Sequence, residues 1–414
     1  MAGPDIISMG CRLNIAESEA MAADLAGRDD LIIINSCAVT SEAVRQTRQT
    51  IRRLKRDQPD REIIVTGCAA QIDPAQFAAM PEVTRVIGNA EKREAGLLAN
   101  GGGNAVADIF GAVAPLQPAV SGKGNSRCFI EVQNGCDHRC TFCIIPFGRG
   151  NSRSIAAGPV IDAVQAAVAR GQFEVVLTGV DLTSYGHDLP GSPSLGLLVE
   201  RILAAVPGVR RLRLSSLDSI EIDDRLFALL TQEARMMPHV HLSLQAGDDM
   251  ILKRMKRRHS RAEAVAIVER LKSARPDIAI GADIIAGFPT ETEEMFANSL
   301  ALIDDCDIVF GHIFPFSPRP GTPAARMPQL GSAIAKARAA QLRARADARR
   351  ALWLQSQIGT VQSVLVEASG NMGHAANYAT VAWDNDPAKI ARQGEIVQVV
   401  IADAGHDRLT GRLI

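Results

Sequence analysis

The sequence predicts an α/β protein with three parts: an N-terminal parallel α/β domain, a partial barrel of six βα units, and a small C-terminal β domain. Three observations predict it. Short runs rich in Ile and Val alternate with helical stretches over residues 1–96. The alternation resumes at Cys128 and supplies six strand candidates. Beyond an Ala/Arg-rich segment the chain changes to short β-like runs separated by Gly and Asp. Strands that alternate with helices build parallel sheets, whereas short strands at turn-bounded spacing build small β domains.

In the first part, strands are expected at 5–9, 31–34 and 62–66, with helices at 17–25 and 42–55 between them. The pattern breaks near Gly96. Residues 100–104 read NGGGN, and 114–126 are rich in Pro, Gly and Ser, so 97–126 is expected to be a linker. The middle part spans 127–357. Its expected strands are 128–133, 174–178, 211–215, 239–244, 278–285 and 308–314, with amphipathic helices such as 157–170 and 261–275 in the gaps. Six units are too few for an eightfold barrel, so an open one is expected. After Phe314 the stretch SPRPGTPAARMPQ reads as irregular, and a long Ala/Arg helix follows at 331–357. The tail 358–414 has β-like runs at 361–367, 378–382 and 396–402.

Composition narrows the function classes. A chain of 414 residues with 47% hydrophobic content suits two to four packed domains. It has no uncharged apolar run of membrane-crossing length. The start, MAGPDIISMG, lacks the charged and long apolar regions of a signal peptide. A cytoplasmic protein with no membrane partner is expected. The net charge of −1 gives no overall pull toward nucleic acid, but 253–261 (KRMKRRHSR) and 336–350 (KARAAQLRARADARR) are locally basic.

Six of the eight cysteines form two groups of three. In a reducing cytosol clustered cysteines bind metal or do chemistry more often than they pair. Cys136, Cys140 and Cys143 lie in NGCDHRCTFCIIP, directly after the first strand of the middle part. Three thiolates at this spacing can hold three corners of a four-iron cluster, where ferredoxin-type clusters take four. The fourth iron would then be open to a substrate. A zinc site of His138 with the three cysteines competes, although zinc sites usually pair two separated motifs. Cys11, Cys37 and Cys68 each follow a predicted strand. The carboxyl ends of parallel strands share one edge, so these three residues should converge and form a second cluster site. Cys128 and Cys306 lie in or near apolar strands and read as core thiols.

The Cys136-x3-Cys140-x2-Cys143 pattern resembles the radical-SAM superfamily. With the second triad, and with GCRLN, NSCAVTSEA, GCAAQ, SLQAGDD, GADIIAGFPTET and FPFSPRPGTPAARMP, nearly the whole chain resembles its methylthiotransferases. The resemblance implies two 4Fe-4S clusters and S-adenosyl-L-methionine as cofactors. It implies an auxiliary-cluster domain at 1–96, a radical core with a connecting helix at 127–357, and a TRAM-like, RNA-binding β-barrel at 358–414. One molecule of S-adenosylmethionine would methylate sulfur at the auxiliary cluster. A second would be cleaved to a 5′-deoxyadenosyl radical, which permits replacement of an unactivated C–H bond. Within the family, GCRLN, LSSLDSIEID and MKRRHSR look most like the branch acting on threonylcarbamoyladenosine at tRNA position 37. Isopentenyladenosine-37 and a ribosomal-protein aspartate are the alternative substrates. A non-catalytic, metal-stabilised RNA-binding module is the alternative of another class. The implied partners are the tRNA anticodon loop, a reductant such as flavodoxin or ferredoxin, and a sulfur donor.

Further candidates follow from strand ends, because barrel active sites gather at that face. Asp181 in GVDLTSYG is a catalytic or cofactor contact. Ser215, Ser216 and Gln245 at strand ends, and Asp283 within the fifth strand, are expected cofactor contacts. Arg149 and Arg153 could meet a phosphate or a carboxylate, and Gly287 and Pro289 shape a turn. For a polyanionic substrate, Lys253, Lys256, Arg257 and Arg258 are candidate RNA contacts.

Overall fold

A computed structural model describes residues 3–100, 102–115, 117–122, 126–367, 370–384 and 391–414. Parts of the expected linker (101, 116, 123–125) and tail (368–369, 385–390) lie outside them. The N-terminal sheet contains β1 (Asp5–Ser8), β2 (Leu31–Ser36), β3 (Glu62–Gly67) and β4 (Arg85–Val86), all parallel and in sequence order. Every residue of LIIINS in β2 is buried, which suits stiff β-branched chains in a sheet covered on both faces. The two-residue β4 was not expected, being too short to leave a pattern. The helix Arg12–Asp24 starts five residues earlier than the hydrophobic pattern suggested. Its buried face includes Asn14, Glu17 and Ser18, so apolar periodicity could not reveal it.

The middle part contains β5 (Arg127–Glu131), β6 (Gln133–Asn134), β7 (Arg153–Ser154), β8 (Glu174–Thr178), β9 (Arg211–Leu214), β10 (His239–Gln245), β11 (Ala279–Ala286) and β12 (Ile308–Pro315). Strands β5-β8-β9 pair in parallel, as do β10-β11-β12. The bridges Leu212↔Met236 and Leu217↔Leu242 link the two halves beside β9 and β10. These six strands make a partial barrel whose terminal strands, β5 and β12, do not pair with each other among the described residues. Alternation sorts the side chains. Val240, Leu242 and Leu244 of β10 join the core under the helices. His239, His241, Ser243 and Gln245 therefore face the lumen. The helix Arg261–Ala274 begins where expected because Ser260 and Glu263 form a capping box.

The Ala/Arg helix, Ser332–Gln355, packs on β12. It buries Ala335, Ala339, Leu342 and Ala346 at three- and four-residue spacing. Within the stretch read as irregular, Pro323–Arg326 makes a 3-10 turn. The tail closes into a barrel, β13-β14-β15-β17-β16, from β13 (Val361–Val366), β14 (Met372–Ala375), β15 (Thr380–Trp383), β16 (Ile396–Ala404) and β17 (Leu409–Leu413). The strands β14 and β17 were not expected, since MGHA and LTGRL carry little β signal. Parts of the stretch 97–126 are tied to both neighbours, as Ala105 bridges Ile87 and Val120 bridges Ile130.

The domains are joined by buried charge. Glu17 of the first domain is 3% exposed and receives a two-pronged contact from Arg149, Nη1 to Oε1 and Nη2 to Oε2, both 2.9 Å. Lys92 Nζ approaches Oε2 at 2.6 Å. Burial pushes the Glu17 carboxyl upward, but Arg149 and Lys92 outweigh it and hold the pKa well below the usual range. The tail docks in the same way. Arg211 donates to Ser363 O (2.7 Å) and Arg213 to Ala375 O (3.0 Å). Buried Glu174 binds Arg127, Arg211 and Arg213, which bring its pKa to about 2 against the upward push of burial. Glu17→Gln should cost about 3–5 kcal/mol, because Arg149 and Lys92 would remain buried without their counter-charge. Urea denaturation checks it, and an unchanged midpoint would contradict the role given to this pair.

Candidate functional site

The three dispersed cysteines converge as the topology required. Cys37 follows β2, Cys68 opens the helix Cys68–Ile72 after β3, and Cys11 caps the helix Arg12–Asp24. Burial pushes the Cys37 thiol up to about 11, and nearby Cys68 and Cys11 push the same way. Gly10 has φ +104°, and a Cβ there would sit 3.0 Å from Cys37 Sγ. Only glycine allows both the left-handed backbone and the close approach. Asn89 Nδ2 lies 3.7 Å from Cys68 Sγ and also donates to Gly148 O in the helix that follows the other triad.

The second triad lies on the loop between β6 and the helix Ile145–Arg149. Burial lifts Cys143 to about 12 and also raises Cys136, where Asp181 adds to the effect. Gly135, φ +73°, precedes the loop, and a Cβ there would meet Asn151 O at 1.8 Å. The three cysteines line a cavity of about 140 Å³ with Asp181, Ser216, Gln245 and Arg257. Cys136 Sγ donates to Asp181 Oδ2 at 3.4 Å. His138 Nε2 lies 3.0 Å from the same oxygen. Burial raises the Asp181 carboxyl, but His138 outweighs it and keeps the pKa below the usual value. Among the described residues no three of His138, Cys136, Cys140 and Cys143 bring their ligand atoms within 4.8 Å of one another, as one zinc ion would require. Gln245 ends β10 with φ +69°, just past a register shift. Such a backbone in a non-glycine residue is typical of functional sites.

Other expected residues fall elsewhere. Ser215 is buried and Asp283 lies within β11; neither lines the cysteine cavity. Asp283 is clasped by His241 (3.1 Å) and His312 (3.5 Å), whose hydrogen bonds lower its pKa against the upward push of burial. Arg257 is corrected outright as an RNA contact. Its side chain is 8% exposed, pairs with Asp218 at 2.9 Å, and reaches within 3.9 Å of Cys140 Sγ. Lys253 and Lys256 are exposed. Arg258 is partly exposed but bound to Glu221 at 2.8 Å. Arg149 meets a carboxylate, that of Glu17, and Arg153 donates to Arg149 O at 2.8 Å. Cys128 and Cys306 are fully buried core thiols. Sequence reading missed Asp218, although LSSLDSIEID contains it, because nothing local marks its buried partner Arg257.

The radical SAM superfamily matches residues 130–303, and the uncharacterized protein family UPF0004 matches 5–88. A threonylcarbamoyladenosine tRNA methylthiotransferase MtaB of Rickettsia prowazekii is 48% identical, over 92% of this chain and 91% of its own length. The chain belongs to the radical-SAM methylthiotransferase family. A tRNA-2-methylthio-N(6)-dimethylallyladenosine synthase of Erythrobacter litoralis is 32% identical, over 98% of this chain and 96% of its own. The solved structure of the radical SAM methyltransferase TsrM from Kitasatospora setae shares the fold, with a TM-score of 0.57 at 16% identity over 78% of this chain and 75% of that one. Methylthiotransferases of this family are enzymes that use S-adenosylmethionine and two 4Fe-4S clusters. The two triads suit them. Each gathers three sulfur donors, and a guanidinium stands by each: Arg149 near Cys68 and Cys11, Arg257 near Cys140. Such positive charge would offset the negative charge that cluster-bound thiolates carry. Gly10→Val should reconstitute anaerobically with about half the wild-type iron, one four-iron cluster in place of two. A full complement would show that the Gly10 cradle is dispensable.

Proposed function

We propose that this enzyme adds a methylthio group to C2 of N6-threonylcarbamoyladenosine at position 37 of tRNA. One observation carries most weight. The helix Cys68–Ile72 rests on the helix Ile145–Arg149, so close that a Cβ on Gly148 would lie 3.0 Å from Cys68 Cβ. Two sulfur triads therefore share one wall, as a reaction with two cluster-bound halves requires. The identity to the Rickettsia enzyme supports the choice of substrate.

In this reading residues 1–96 carry the auxiliary cluster on Cys11, Cys37 and Cys68. Residues 127–357 carry the radical cluster on Cys136, Cys140 and Cys143. When bound, the clusters and S-adenosylmethionine supply the one-electron chemistry and the methylthio group. The chain's own residues hold and orient them. Asp181, kept ionised beside His138, offers a carboxylate to cofactor N–H and O–H groups. Ser216 and Gln245 add polar contacts on the same wall. Lys253 and Lys256 meet tRNA phosphates, with Arg258 beside them, and the tail 358–414 adds RNA surface. An anticodon loop presents a base that can be splayed out for chemistry. A low-potential reductant such as flavodoxin or ferredoxin and a sulfur donor complete the cycle, in the cytoplasm where tRNA resides.

A second reading, isopentenyladenosine-37, is favoured by the Erythrobacter relative. Mass analysis of tRNA nucleosides from a strain lacking the gene separates the two. Loss of methylthiolated threonylcarbamoyladenosine is expected, whereas its persistence with loss of the isopentenyl product would reverse the choice. In the purified enzyme, Cys140→Ala should abolish S-adenosylmethionine cleavage. Cys37→Ala should keep part of that cleavage yet stop methylthiolation. Equal, full cleavage by both variants would contradict the division of labour.

A further inference from the structure

Among the described residues, the arginines of the lumen wall are matched by a carboxylate, with one exception. Arg127, Arg211 and Arg213 share Glu174. His241 and His312 share Asp283. Arg12 differs. It follows Cys11 directly, and it reaches past the auxiliary triad toward the barrel. Its guanidinium lies 6.0 Å from the ring of Phe129, which alternates with core residues Cys128 and Ile130 and so faces the lumen. It also stands 5.8 Å from the ring of Tyr378, a residue of the tail domain, and Nη2 donates to Tyr378 Oη at 3.1 Å. Among the described residues Arg12 pairs with no carboxylate. The group is half-buried, so it is neither freely hydrated nor neutralised.

A half-buried guanidinium without a carboxylate is costly even beside two aromatic faces, and a planar carboxylate is the partner its fork of donors fits. The position restricts which anion. Arg12 sits between Phe129 of β5 and Tyr378, whose ring also meets that of Phe310 of β12 at 6.0 Å, on the side (the seam) where β5 and β12 do not pair with each other among the described residues. His312, with a side chain 60% exposed, stands on the β12 side of that seam. A base entering the seam toward both triads would carry its N6 substituent along this wall. The threonylcarbamoyl group ends in a carboxylate, whereas the isopentenyl group is apolar and would strip water from Arg12 without replacing it. Discrimination of this kind works through the unpaired charge as much as through the matched one.

We propose that Arg12 binds the carboxylate of the N6-threonylcarbamoyl group and so sets substrate choice. The inference rests on the substrate reading above. It makes Arg12 a substrate-binding residue, with Tyr378 holding its side chain in place.

The test uses reconstituted enzyme and two anticodon stem-loops. One carries threonylcarbamoyladenosine-37, the other its threonine methyl ester. Binding and kcat/KM are measured for each under anaerobic conditions. Wild-type enzyme should favour the acid by roughly ten- to hundredfold, the range for a hydrogen bond between charged groups. Arg12→Gln should lose that preference by weakening use of the acid alone, and Arg12→Lys should regain part of it. Equal wild-type use of acid and ester would overturn the proposal, as would equal loss of both by Arg12→Gln. Should Arg12→Gln fail to hold iron, the wild-type ratio of acid to ester decides alone. Wild-type inactivity on both stem-loops, with activity on an isopentenyl one, would overturn the substrate reading itself and this inference with it.

Discussion

The arrangement of the molecule depends on the buried contact between Glu17 and Arg149. Arg149 closes the short helix that follows the Cys136–Cys143 loop, and Glu17 lies on the helix capped by Cys11. One ion pair thus fixes the carrier of one sulfur triad against the carrier of the other. Asn14 and Asn134 add neutral hydrogen bonds to the same guanidinium. Dehydrating such charges is expensive, and packed apolar residues would often stabilise as well. What an apolar contact lacks is direction. A two-pronged guanidinium–carboxylate contact defines both distance and orientation, which two cofactors facing one substrate require.

The tail domain is held by the same kind of contact. Arg211 and Arg213 leave the barrel to bind carbonyls of Ser363 and Ala375, while Glu174 gathers them from within. Tyr378, held at φ +73°, then stacks on His239 with ring centroids 4.8 Å apart. Burial and the surrounding Arg213, His241, Arg12 and His312 hold His239 uncharged. A neutral ring stacks against the phenol without adding a further charge to a wall already rich in cations.

Much of this was legible in the sequence. The strands that carry the cysteines are short Ile/Val runs, and the rule that parallel strands share a carboxyl edge brought Cys11, Cys37 and Cys68 together. The cavity residues Asp181, Ser216 and Gln245 followed from strand ends. Side-chain direction was less legible. Arg257 looks like its neighbours Lys253 and Lys256, yet the left-handed turn at Lys256 sends it inward to Asp218. No local pattern announces a partner 39 residues away. Asp283 lies outside the cysteine cavity for a similar reason: its strand was legible, but the histidines that meet it come from the two strands beside it. The helix start at Arg12 escaped because polar groups face its core.

The seam between β5 and β12 has a consequence for inheritance. One border of its entrance belongs to the first domain through Arg12, another to the last through Tyr378, and the wall between them to the barrel. The three domains are therefore not exchangeable cassettes. A relative with a different tail would have to change the residue after its first cluster cysteine in step. Divergence in this fold should then proceed by paired changes far apart in the chain, and a single grafted domain would leave the entrance ill-fitting on one side.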